Sequence, residues 1–77
     1  MAKVYEFLAN GFEEVEALAP VDILRRGGVE VKMVSITGSN LVESSHGVVV
    51  KADLLFENIT DFSDADLLML PGGMPGS

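Results

Sequence analysis

Residues 4–36 constrain the fold more than any other part of this chain. VYEFLA, residues 4–9, is an apolar run interrupted by Glu6 and closed by Asn10-Gly11. Runs of that kind suit a strand buried on both faces of a parallel sheet. FEEVEALAPVDILRR follows over residues 12–26, with Val15, Leu18, Ala19, Ile23 and Arg26 at helical intervals. Asn10, with Glu13 three residues later, has the form of a capping box and predicts that the Asn10 side chain starts this helix. Glu13, Glu14 and Glu16 complement the positive end of the helix dipole, Arg25-Arg26 complement the negative end, and Gly27-Gly28 stops the helix. Pro20 lies inside the pattern and predicts a bend or a split into two pieces, because proline has no amide for the ladder. Residues 29–36 alternate Val-Glu-Val-Lys-Met, the two-residue period of a strand. Strand, helix and strand at this spacing predict a βαβ unit with parallel strands.

Beyond the polar residues 37–40, LVESS and VVVKA flank His46-Gly47 and predict a hairpin. Residues 54–59 are ambiguous between loop and one helical turn, and residues 60–65 are polar and acidic. DLLML, residues 66–70, predicts another buried strand, ending in PGGMPGS. A parallel strand ordinarily hands over to a crossover helix that covers the sheet. None follows within the 77 residues. A chain of this size also buries only about 60% of its unfolded surface, a marginal core. The expectation is therefore that residues 1–77 are the amino-terminal segment of a single, larger doubly wound α/β domain.

Composition prunes the function classes. At 48% apolar residues the chain is too hydrophobic for a disordered segment, yet its apolar runs are too short to span a membrane. Met1-Ala2-Lys3 does not open a secretory signal. With no cysteine there is no disulfide framework, thiolate or Cys-based metal site, and a cytoplasmic location is expected. The net charge is −7; after Lys51 there is no basic residue, whereas Asp53, Glu57, Asp61, Asp64 and Asp66 follow. Such a surface repels phosphate backbones and anionic lipid, so neither nucleic acid nor membrane is an expected partner.

In open α/β sheets, ligands bind beyond the carboxyl ends of the strands. Two loops qualify: Asn10-Gly11-Phe12 and Pro71-Gly72-Gly73. If the strands before them are neighbours, both open into one crevice, with Glu16 one helical turn away. Glycines 72 and 73 let backbone approach a ligand and present amides to an anion, and a carboxylate beside such donors suits acid/base chemistry. The plainer readings are dipole-compensating surface acids and ordinary turn chemistry. His46 reads as a solvated turn residue; with no second histidine or cysteine, no metal is expected. Ser44 and Ser45 beside it do not make a hydrolase triad, since strand neighbours face opposite ways and no G-x-S-x-G elbow is present. A single glycine and three acids at the helix start argue against a dinucleotide. ADLLMLPGGMPGS resembles the third-strand region of two-component receiver domains, but Pro71 stands where their phosphoacceptor aspartate would be.

Taken together, FLANGFEEVEALAPVDILRRGGVEV, the SSHGVVVKAD hairpin and ADLLMLPGG resemble the amino-terminal part of the ThiJ/PfpI superfamily, in its ThiJ-like and Parkinsonism-associated deglycase branch. The most specific piece runs from Gly11 to Gly28, and the L-P-G-G at 70–73 is the second anchor. The resemblance implies a flavodoxin-like (class I glutamine-amidotransferase-like) α/β three-layer sandwich with a mostly parallel sheet, commonly a homodimer, and no cofactor. It implies a cysteine nucleophile beyond Ser77, Glu16 as the carboxylate that contacts it, and the Gly73 amide as part of the oxyanion pocket. Asn10, Gly11 and Gly72 would line the substrate pocket; Glu13, Arg26 and His46 would serve the dimer contact. The implied activities are glyoxalase or deglycase chemistry on small 2-oxoaldehydes or glycated adducts, with an oxidative-stress chaperone or redox-sensing role as the alternative and PfpI-like peptidase activity less favoured. Neither the family's cysteine nor its downstream histidine occurs in these 77 residues, so they cannot perform the reaction alone.

Overall fold

The computed structural model describes residues 2–72. Its centre is Lys3–Leu8 (β1), the apolar run of the sequence, paired on both sides. On one side it runs parallel to Glu30–Ser35 (β2), in register from Lys3↔Glu30 to Leu8↔Ser35. Between them lies Glu14–Arg26 (α1). Leu41–Glu43 (β3) and Val49–Lys51 (β4) form the expected antiparallel hairpin around Gly47, whose φ of 82° is the left-handed turn that glycine tolerates. Leu54–Leu55 (β5) joins the outer side of β2, and a single 3-10 turn, Phe56–Asn58, resolves the ambiguous stretch as part strand and part turn. Leu67–Met69 (β6) pairs in parallel with the free side of β1, Val4↔Leu67 to Glu6↔Met69. The sheet order is β5-β2-β1-β6, all parallel, the start of the α/β arrangement expected from the sequence.

The structure departs from the sequence expectations along α1 and at β6. Asn10 does not cap α1: the N-cap is Glu13, with no side-chain cap bond, and Asn10 Oδ1 instead accepts the Glu43 amide at 3.1 Å. The reason is the hairpin, which bridges Phe12 to Ser44 and takes Gly11 N–H onto the Glu43 carbonyl, so residues 10–12 make a turn and a bridge to the hairpin where a cap would form. Of the two outcomes expected at Pro20, a bend or a split, the split does not occur, and the helix runs unbroken for 13 residues. Proline deprives the Glu16 carbonyl of its donor, but packing of Ala17 and Val21 against the sheet holds the helix across that gap. The stripe Val15, Ala19 and Ile23 faces outward, with Val15 and Ile23 about 70% and 67% exposed. Strand β6 is not buried either; among the described residues it is the sheet edge, and Leu67 and Leu68 are half exposed.

The carboxyl end of α1 follows the sequence closely. Gly28, at φ 86°, donates to the Arg25 carbonyl, and Val29 donates to Leu24. These two bonds form a Schellman motif, with Leu24 and Val29 both packed on the core.

Side-chain alternation along β1 divides the interior into two faces. Val4 and Leu8 point toward α1 and join Phe12, Ala17, Val21, Val31, Met33 and Val42 in the core. Tyr5 and Phe7 point the other way and meet Phe62, at ring centroid distances of 5.1 and 5.5 Å, edge to face. Glu6 shares the α1 face. It is fully buried, opposite Met33 and Met69, and among the described residues neither carboxyl oxygen has a hydrogen-bond partner. Burial pushes its pKa from 4.5 up to about 7, with the Arg25 charge opposing the rise.

Phe12 is completely buried where the hairpin crosses the end of β1, so Phe12→Ala should cost about 3–5 kcal/mol in urea unfolding. Glu6 gives the fold a pH dependence of definite sign. The unfolded chain releases this proton near pH 4.5 and the folded chain near 7, so the folded state binds more protons between those values. Its stability contribution therefore falls as pH rises through that window, by up to about 3 kcal/mol. Glu6→Gln should flatten that part of the stability–pH curve and raise the denaturation midpoint at pH 8; an unchanged curve would refute the assignment.

Candidate functional site

Because β1 and β6 are parallel neighbours, the loops that leave them emerge side by side, as the sequence reading required. The first turn of α1 enters the same place and grips Gly72 twice. The amide of Glu13 donates to the Gly72 carbonyl at 2.9 Å, and the Gly72 amide donates to Glu16 Oε1 at 3.0 Å. Glu13 and Glu16 are the N-cap and third helical positions, the pair that would bond each other in a capping box. Here Gly72 is inserted between them, so a helix cap is completed by a residue 56 positions further along the chain. The carboxylate gains a backbone donor and lies near the positive end of the helix dipole, and one of its two oxygens remains for other chemistry. A side chain at 72 is incompatible with this clasp, because a Cβ there would collide with Glu16 Oε1. Gly73, the expected oxyanion donor, lies outside the described residues.

Asn10 and Gly11 lie in the loop beside this clasp, with their polar groups engaged. The Asn10 carboxamide and the Gly11 amide both bond Glu43, and Gly11 takes a φ of 91° to do so. They brace the hairpin against the loop, which fixes where the start of α1 can sit.

A second cluster stands next to the clasp. His46 Nδ1 lies 2.6 Å from Glu14 Oε1 and 3.4 Å from Glu13 Oε1. The Ser44 hydroxyl first, and the His46 side chain with it, holds the Glu14 carboxyl below the usual carboxylate range. Ser45 Oγ also approaches His46 Nδ1, at 3.2 Å. Hydroxyl and carboxylate thus meet the same ring nitrogen, whereas a hydrolase relay needs one on each, so the geometry agrees with the rejection of a triad. The imidazole and two carboxylates offer ligand atoms within 4.8 Å of one another, but they stand at the positive end of α1, where the dipole opposes a cation. Arg26, grouped with Glu13 and His46 in the sequence reading, is at the opposite end of α1, paired with Asp22 at 3.0 Å. An open hollow of about 490 Å³ at the β5 edge, lined in part by Lys51 and Asp53, contains neither Glu16 nor Gly72.

The sequence reading missed the Glu13 amide, Ser44 and Glu14. Glu14 was legible as a helix-start acid, but nothing local marks it as the partner of a histidine 32 residues away.

The sequence matches the DJ-1/PfpI family over residues 2–77. The chain belongs to that family. It is 46% identical over 74 residues to protein DJ-1 homolog B of Arabidopsis thaliana, covering 96% of this chain and 17% of that protein. It is 37% identical over 71 residues to deglycase PfpI of Pyrococcus furiosus, covering 92% of this chain and 42% of the relative. Among solved structures, oxidized DJ-1 of Toxoplasma gondii superposes with a TM-score of 0.91 at 40% identity, covering 97% of this chain and 40% of that one. The chain thus spans less than half the length of these relatives. Among the described residues no helix is long and apolar enough to cross a membrane.

Gly72→Ala should drive the Glu16 carboxylate out of the clasp, because the far end of that side chain yields more easily than backbone. The expected signature is loss of the downfield amide shift at position 72 and a loss of about 1–3 kcal/mol. A variant that keeps both shift and stability would show that the contact is dispensable.

Proposed function

We propose that this chain is the amino-terminal segment of a cysteine-dependent enzyme of the DJ-1/PfpI family, with Glu16 as its acid/base carboxylate. The cysteine belongs to a further stretch of the same polypeptide, which completes the α/β domain. The observation that carries this reading is the 3.0 Å bond from the Gly72 amide to Glu16 Oε1, which holds a carboxylate at the carboxyl ends of β1 and β6. A nucleophile delivered to that place would meet a proton donor and acceptor already oriented, with the glycine backbone available to a developing oxyanion. Gly72 shapes this pocket, Gly73 supplies the oxyanion amide, and Asn10 and Gly11 hold its rim.

The substrate class we propose is a small 2-oxoaldehyde or a glycated adduct derived from one. The thiolate adds to the aldehyde carbon, Glu16 carries a proton between the two adjacent carbons, and water releases the 2-hydroxy acid and regenerates the thiolate. The name of the Pyrococcus furiosus relative, a deglycase, supports this class. The assembly we propose is a homodimer, supported by the outward stripe of Val15 and Ile23 on α1 beside the Glu13–His46 cluster.

In the complete protein, Glu16→Gln should lower kcat on methylglyoxal by about 10²–10⁴-fold with little change in KM, and should shift the pH dependence of cysteine alkylation. Unchanged kinetics would remove Glu16 from the mechanism. Undiminished suppression of aggregation in a variant without turnover would show a separate, chaperone-type activity on the same fold.

A further inference from the structure

We propose that Glu6 is a proton switch for the seat of α1, whose ionisation loosens the clasp between the first turn of that helix and Gly72. The inference concerns the clasp itself and stands whether or not Glu16 turns over a substrate.

Glu6 sits in the middle of β1 on the face that α1 covers, between Val4 and Leu8, with Met33 and Met69 as its register neighbours. It is completely buried, and among the described residues both carboxyl oxygens are without a partner. A neutral carboxyl in such a place leaves weakly polar groups unpaired, while a carboxylate needs water or a cation. The charged groups on the surrounding elements are committed elsewhere. On α1, Glu14 faces His46, Glu16 holds Gly72, and Asp22 and Arg26 pair with each other. Arg25 is the cation whose field reaches Glu6, but its guanidinium is tied to the Val31 carbonyl at 2.8 Å and the Asp53 carboxylate at 2.9 Å. On β2, Lys32 projects to the opposite face with Tyr5, and the buried Ser35 hydroxyl is bonded to Thr37 and Ser39. Beside β6, Asp66 accepts the Lys3 amide.

An ionised Glu6 can therefore be satisfied only by letting water under α1 or by pulling Arg25 from its anchor. Either change unseats the helix. Because α1 is one unbroken rod, about 20 Å long, a lift at its middle or carboxyl end displaces the first turn, where Glu13 and Glu16 hold Gly72. Ionisation favours the unseated arrangement and protonation the seated one, which is the two-state element a switch requires.

The test is NMR on the full chain between pH 5 and 9, reading the Glu6 side-chain carbonyl carbon and the exchange protection factors of Ala17, Val21 and Gly72. Glu6 should titrate near 7, and protection at all three amides should fall about tenfold per pH unit up to that midpoint and level off above it. Glu6→Gln should abolish the slope, as should Glu6→Met, which matches the flanking methionines and serves if the glutamine packs poorly. His46→Gln should retain it, separating this switch from the imidazole beside the helix start. A Glu6 midpoint near 4.5, a slope that survives Glu6→Gln, or a flat Gly72 would each overturn the proposal. Protection of the Ala17, Val21 and Gly72 amides no lower than that of the β1 and β2 amides at every pH would overturn it too, since all would then be exchanging through loss of the whole fold in place of movement of α1.

Discussion

Parallel pairing of β1 with β2 on one side and β6 on the other is the constraint on which everything else rests. Parallel strands need a crossover, so α1 must return along the sheet, and its first turn must start where β1 ends. A second parallel neighbour brings the end of β6 to the same edge. Glu16 and Gly72 are thus brought together by strand direction before any side-chain contact is made. The hairpin then fixes the position by binding Asn10 and Gly11 through Glu43 and burying Phe12.

Within that frame, the cap of α1 is the device that turns architecture into a site. Helix amides at an amino terminus need partners, and an ordinary capping box would satisfy them with two local side chains. Here the N-cap amide and the third-position carboxylate are both turned to Gly72. The arrangement costs the helix its local cap and gives the loop after β6 a fixed position. It also orients a carboxylate that would otherwise be one more surface acid in the first turn. The clasp requires glycine at 72 because the close approach of Glu16 leaves no room for a Cβ, a reason distinct from the positive φ that demands glycine at 11, 28 and 47.

Much of this was legible in the sequence, and particular residues show where legibility stopped. The apolar run at 4–9 and the alternation at 29–36 gave strands because period and propensity are local properties. Gly27-Gly28 marked a helix stop because a Schellman motif is made within six residues. Asn10-x-x-Glu13 looked like a cap for the same local reasons and was not one, since the hairpin 33 residues away supplied a competing donor from Glu43. Val15, Leu18, Ala19 and Ile23 announced a helix, yet the buried line runs through Ala17 and Val21. Small and β-branched residues fit close against a sheet, and the outward stripe carries equal hydrophobicity, so periodicity alone does not choose between them.

Glu6 marks the same boundary from the other side. It was visible as the single break in an apolar run, and whether such a break faces water or the interior depends on which face of the strand is covered. By itself the sequence determined the parallel βαβ order, the hairpin, the carboxyl end of α1 and the candidacy of Glu16, because each follows from spacing within about one supersecondary unit. The tertiary structure alone decided that β6 lies beside β1, that Gly72 completes the cap of α1, that His46 meets Glu14, and that Glu6 is buried without a partner among the described residues. Those pairings join residues 32 to 63 positions apart, and only the three-dimensional packing of the strands and the helix specifies them.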